Sequence, residues 1–156
     1  MERVIKNSLE IKASFITEDE FDKSRRRLLN YGHCFGHAIE TATNFIIPHG
    51  QAVILGMYLA NSVSVKRGIL SLKKHREICE NIFAPILLYH LEMHQFDKAL
   101  ILDAMRKDKK RIDDRLIVIL LSEALELKEY NDLSLKEIEF AFLSLLDWLA
   151  KRQIDV

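Results

Sequence analysis

The chain has 156 residues, enough for one domain with a substantial core. Its hydrophobic fraction is 49% and its mean hydropathy is -0.02, values of a water-soluble globular fold. Lysine plus arginine balance aspartate plus glutamate at 23 each, so no electrostatic footprint points to nucleic acid or to an anionic membrane. Apolar runs such as Leu116 to Leu121 fall far short of the roughly 20 residues that span a bilayer. Arg3, Lys6 and Glu10 interrupt the early apolar stretch and argue against a signal peptide. Two cysteines, Cys34 and Cys79, make no disulfide framework, and a reducing cytoplasm is the expected compartment.

Only 5 glycines and 2 prolines punctuate the sequence, which predicts long helices with short connections. Residues 3 to 16, with Val4, Ile5, Leu9, Ile11 and Phe15, read as the first helix. An acidic stretch from Glu18 to Asp22 and a basic run from Arg25 to Arg27 follow. Helical pattern then resumes from Leu28 to about Asn44. Pro48, His49 and Gly50 break the chain, and Gln51 to Arg67 forms a broad apolar helix closed by Gly68. Lys73 to Phe83 is a shorter helix ended by Pro85. Asp97 to about Lys109 is another, with Leu100, Ile101, Ala104 and Met105 inward.

Leu116 to Leu121 is β-branched in its middle and reads as a strand, with Ala124 to Tyr130 as its hairpin partner. Ser134 and Glu137 form a capping-box pattern ahead of a last helix striped by Leu135, Ile138, Phe142, Leu145 and Leu149. The expected fold is therefore mostly α, a multi-helical domain over 1-156 with one small β-hairpin at about residues 115-130.

Three histidines carry the chemistry. His33 and His37 are four apart, so on one helix they share a face, and His49 follows a helix-breaking Pro48 that could fold it back onto them. Imidazoles bind borderline metals and move protons near neutral pH, or simply fill space. Three protein ligands with one open position is a common zinc arrangement. The zinc-protease pattern is excluded, because Cys34 stands where that motif needs a glutamate. Gly32 and Gly36 cost roughly 1 kcal/mol each in a helix, which suits either a close approach to the backbone or tight helix packing. Arg26 and Asn30, in helical register with His33, would form a ladder that binds carboxylate, phosphate and hydroxyl groups.

These residues resemble the C-terminal domain of 3-dehydroquinate synthase, in the sugar-phosphate cyclase superfamily. The match runs through Arg26, then Leu29-Asn30-Tyr31-Gly32-His33-Cys34-Phe35-Gly36-His37-Ala38-Ile39-Glu40, then His49-Gly50-Gln51-Ala52-Val53 and Gly56-Met57. Asp108-Lys109-Lys110 resembles the family's Asp-Lys-Lys before its hairpin.

The resemblance implies a phosphorus-oxygen lyase of the shikimate pathway and of aromatic amino acid biosynthesis. Such an enzyme cyclises a seven-carbon keto-acid sugar phosphate with loss of phosphate. By position, His33 and His49 would hold a divalent metal, zinc or cobalt, and His37 would be the acid/base group at the substrate phosphate. Lys12, Asp22, Arg26, Asn30 and Lys109 or Lys110 would bind substrate. The family's third metal ligand, a glutamate, lies upstream of this sequence. NAD belongs to a missing N-terminal domain, since no Gly-rich phosphate turn follows a strand here, so the chain alone is expected to be inactive. The complete enzyme is expected to be a cytoplasmic homodimer. Asp22 for glutamate, Cys34 for threonine and Gln51 for glutamate depart from the family pattern. They keep open a cyclase that makes another cyclitol, or a non-catalytic module that binds metal or a phosphate ligand.

Overall fold

A computed structural model of the chain describes residues 2–19, 25–87, 96–109 and 116–154. It divides into two compact units, Met1–Asn30 and Tyr31–Val156.

The first unit contains α1 (Glu2–Glu18) and a 3-10 turn (Arg25–Asn30). Val4, Ile5, Leu9 and Ile11 of α1 are exposed. The Arg25 guanidinium lies over the Phe15 ring, 4.8 Å from its centroid, and the Arg26 amide donates to the Asp19 carboxylate at 3.1 Å.

The second unit is built around α3 (His49–Lys66), buried almost without a break from Ala52 to Ser64. That all-round burial is what its broad apolar surface predicts. Packed on α3 are α2 (His33–Ala42), α7 (Leu135–Ile154) and strand β1 (Val118–Leu121). Phe35, Leu59, Leu120, Phe142 and Leu145 are among the fully buried side chains that join these elements in one core. β1 pairs antiparallel with β2 (Leu127–Tyr130), with Val118 opposite Tyr130 and Leu121 opposite Leu127. The expected hairpin is present but shorter. Leu125 occupies its turn at φ 62 instead of a strand position, because the Leu125 amide closes back on the Ser122 carbonyl.

Several helix boundaries differ from the sequence expectation. The predicted Leu28–Asn44 helix is broken at Gly32, whose φ of +81 ends the 3-10 segment and starts α2 afresh. His49 lies inside α3 instead of in the break before it, because the Pro48 carbonyl accepts from the Gln51 and Ala52 amides and begins the helix there.

Pro85 does not end the fourth helix. α4 (Leu72–Ile78) runs through a π turn (Cys79–Phe83) into α5 (Ala84–Ile86), and the wider π turn accommodates the residue without an N–H. On α6 (Lys98–Lys109), Ile101 and Met105 are buried, whereas Leu100 is exposed, one position off that stripe. Leu135 is exposed as well, being the first residue of α7.

The capping box of α7 forms as its sequence requires. The Ser134 amide and hydroxyl donate to Glu137, and the Glu137 amide donates back to the Ser134 hydroxyl.

Candidate metal centre

The local chain path explains why the histidines meet. Gly32, Gly36 and Gly56 let the backbones of α2 and α3 touch. A Cβ on Gly36 would meet the Val53 Cα at 3.1 Å, and one on Gly32 would meet the Met57 amide nitrogen at 2.7 Å. What approaches these glycines is thus the neighbouring helix. Helix packing, one of the two readings open at sequence level, accounts for them.

With the helices seated this closely, the first turn of α3 lies beside α2. His33, His37 and His49 then form a compact triangle. Ring centroids are 5.4 Å apart for His33 and His37, 5.5 Å for His33 and His49, and 5.9 Å for His37 and His49.

The three imidazoles are not equivalent. His33 Nδ1 lies 3.3 Å from the Tyr31 carbonyl, and His49 Nδ1 lies 3.1 Å from Glu40 Oε1. A ring whose Nδ1–H donates to an oxygen keeps Nε2 free as a lone-pair donor. No such anchor holds His37, whose ring nitrogens have no hydrogen-bond partner among the described residues. Burial lowers the pKa of His33 from its ordinary value, and the Tyr31 carbonyl acts against that effect. A lowered pKa favours the neutral ring that a metal requires.

Glu40 was not singled out at sequence level as a site residue. It is buried, and its carboxylate, with His37 and His49, forms a set whose potential ligand atoms lie within 4.8 Å of one another. Its spacing of three from His37 and seven from His33 is the signal that could have found it. A cavity of about 340 Å³ opens beside the triangle, with Cys34, His37, Glu40, Thr41, Phe45 and Lys107 in its wall. Lys107 also reaches Asp103 at 2.7 Å.

The remaining expected site residues are carried by other segments of the chain. Lys12 is exposed on α1, and Arg26 and Asn30 lie on the 3-10 turn of the first unit. A continuous helical ladder from Arg26 through Asn30 to His33 does not form, because the left-handed Gly32 intervenes. Asp22, Lys110 and the side chain of Lys109 lie outside the described residues. No helix among the described residues is long and apolar enough to cross a membrane.

The sequence profile of the family described as 3-dehydroquinate synthase C-terminal matches residues 1–111. The chain is 39% identical over 114 residues to the 3-dehydroquinate synthase of Helicobacter pylori (strain ATCC 700392 / 26695), covering 70% of this chain and 33% of that protein. It is 40% identical over 119 residues to the Alkaliphilus metalliredigens (strain QYMF) 3-dehydroquinate synthase, covering 76% and 33%. The chain thus spans about a third of the length of the curated relatives it matches.

Among solved structures, 2-epi-5-epi-valiolone synthase of Streptomyces hygroscopicus subsp. jinggangensis 5008, with NAD+ and Zn2+ bound, superposes with a TM-score of 0.78. The identity is 22%, over 93% of this chain and 40% of that one. A 2-deoxy-scyllo-inosose synthase complexed with carbaglucose-6-phosphate, NAD+ and Co2+ superposes with a TM-score of 0.62. It is 29% identical, over 77% of this chain and 34% of that one. The fold expected from the sequence, helical with a single small hairpin, is that of the matched portions of these two enzymes. By its profile match and its relatives, the chain belongs to the 3-dehydroquinate synthase C-terminal family.

Proposed function

We propose that this chain is the metal- and substrate-binding part of a 3-dehydroquinate synthase. The complete enzyme would cyclise a seven-carbon keto-acid sugar phosphate, with loss of phosphate, in the shikimate pathway. The observation that carries this reading is the unequal anchoring of the histidine triangle, with Nδ1 held in His33 and His49 and no anchor on His37. Two rings held through Nδ1, each leaving Nε2 to donate a lone pair, suit a zinc or cobalt ion, metals bound by the two enzymes described above. A bound divalent ion supplies Lewis acidity that favours loss of a proton from a coordinated hydroxyl.

His37 is the residue left to move protons. It is exposed, borders the cavity and has both ring nitrogens available, so it would give or take a proton at the departing phosphate. Arg26, Asn30 and Lys12, with Asp22 and Lys109 or Lys110, would bind the substrate's phosphate, carboxylate and hydroxyl groups. Cationic side chains there balance anionic charge as it develops. NAD would come from a preceding domain, for which the two thirds of the relatives' length outside the match leaves room. Turnover by this chain alone is not expected, and the complete enzyme would be a cytoplasmic homodimer.

A second reading is a cyclase acting on another sugar phosphate. The superposition on valiolone and inosose synthases favours it, together with the departures at Cys34 and Gln51. Product analysis of the complete enzyme decides between these two readings.

The experiment that tests the site assignment uses the complete enzyme. His33→Ala and His49→Ala should abolish zinc retention. His37→Ala should retain zinc and lose turnover by about 10²- to 10⁴-fold. Loss of metal from His37→Ala, with retention in His49→Ala, overturns the assignment.

A further inference from the structure

We infer that Glu40 is a positioning residue that holds the His49 ring in the Nδ1–H form and so presents Nε2 to the metal. The inference rests on the metal reading above. Glu40 lies on the inner side of α2, and its side chain is only 10% exposed, whereas that of His49 is 57% exposed. A carboxylate removed from water needs a donor, and the His49 ring is the one found for it among the described residues, at 3.1 Å.

A direct ligand role for Glu40 fits less well. At 3.1 Å the oxygen and Nδ1 are at hydrogen-bond distance, and an Nδ1 that donates a proton cannot also bind a metal. His33 is arranged in the same way by a different acceptor, the Tyr31 carbonyl. Both proposed ligands are thus fixed through Nδ1, one from the chain just before α2 and one from within it. Carboxylate partners of this kind both orient a ligating imidazole and raise its basicity.

The consequence is specific to His49. Being exposed at the start of α3, its ring would otherwise turn and exchange its proton between the two nitrogens. Glu40 removes that freedom before the metal arrives, which is where the gain in affinity comes from.

The test is two-dimensional ¹⁵N–¹H NMR of the histidine rings in the full chain, first without metal and then titrated with ZnCl₂. Glu40→Gln and Glu40→Ala are compared with the parent, and circular dichroism checks that each remains helical. Without metal, His49 should show a protonated Nδ1 and a bare Nε2. Glu40→Ala should give a mixture of the two forms, and Glu40→Gln an intermediate pattern. Zinc should shift Nε2 of His49, and its affinity should fall about 10- to 100-fold in Glu40→Ala, with partial rescue in Glu40→Gln.

An unchanged His49 pattern in Glu40→Ala overturns the inference, as does a zinc shift at His49 Nδ1 in the parent. If zinc shifts none of the three rings in the parent, nor in the complete enzyme, the metal reading itself fails. The metal-free spectra distinguish that failure from failure of the ring-holding role, because they need no metal.

Discussion

Gly56 on α3 faces the Gly32 carbonyl so closely that no side chain can stand between them. A Cβ on Gly56 would also lie 2.8 Å from the Gly36 amide nitrogen. Backbone on both sides leaves nothing flexible to yield. Gly56→Ala should therefore force α2 and α3 apart and cost about 1–3 kcal/mol or more, despite alanine's better helix propensity. Gly50, on the same helix with nothing within 4 Å of its would-be Cβ, is the control. Gly50→Ala should be neutral or stabilising by up to about 1 kcal/mol. Urea denaturation of both variants checks the contrast.

That contact also shows where sequence reading stops. Helical periodicity located α3, α6 and α7, and Ser134 with Glu137 marked the α7 start, because those signals are local. The break at Gly32 was not legible. A left-handed glycine inside an apolar periodic run looks like a tolerated helical glycine until the opposing helix is known. Pro85 misled for the related reason that a π turn, which the sequence does not announce, absorbs its missing N–H.

In the site, the pairing of His33 with His37 followed from spacing, and His49 was brought in by the turn at Pro48. The role of each ring was a matter of family resemblance. Which nitrogen of each ring is anchored depends on the Tyr31 carbonyl and the Glu40 carboxylate, and both depend on tertiary packing. The exposed apolar residues Val4, Ile5, Leu9 and Ile11 on α1 were read correctly as helical, but periodicity alone says nothing of what covers them.

Arg67 and Glu137 join the end of α3 to the start of α7. Arg67 Nε donates to Glu137 Oε1 at 2.6 Å, and a terminal nitrogen of the same guanidinium reaches Asp132 Oδ1 at 2.8 Å. Partial burial pushes the Glu137 carboxyl up, but hydrogen bonds from Arg67 and Ser134 outweigh it and hold the group at about 2. A carboxyl depressed in the folded state stabilises the fold above its ordinary pKa of 4.5 and loses that contribution as pH falls toward 2. Glu137→Gln should cost about 1–2 kcal/mol at pH 7 and much less at pH 2.5. Denaturant midpoints at the two pH values measure the difference.

His75 works in a higher pH window. It is 3% exposed, with Nε2 3.4 Å from the Ser62 hydroxyl, Nδ1 3.5 Å from Cys79 Sγ and the Tyr58 ring at 4.8 Å between centroids. Burial, with a smaller contribution from Arg76, lowers its pKa to about 4. The unfolded chain takes up this proton below about pH 6.5, whereas the folded chain does not until about pH 4. Stability should thus fall by about 2–3 kcal/mol between those limits on acidification. His75→Gln, uncharged throughout, should flatten that part of the profile. An unchanged slope would place the acid sensitivity elsewhere.

The two cysteines should differ sharply toward alkylating reagents. Neither is in a disulfide, and Cys79 is buried whereas Cys34 is half-buried. Burial, reinforced by Glu80, pushes the Cys79 thiol up to about 12, which leaves almost no thiolate at neutral pH. Cys34 instead borders the cavity beside His37 and Glu40. Iodoacetamide at pH 8 should modify Cys34 alone in the folded chain and both cysteines in urea, as peptide mass mapping would show. An added carboxamidomethyl group would project into the cavity next to His37. In the complete enzyme it should reduce turnover while zinc remains bound, because Cys34 is not among the proposed ligands. Cys34→Ser should be resistant to this inactivation. Rapid inactivation of Cys34→Ser would show that the reagent acts at another group, with the His37 ring then the first to examine.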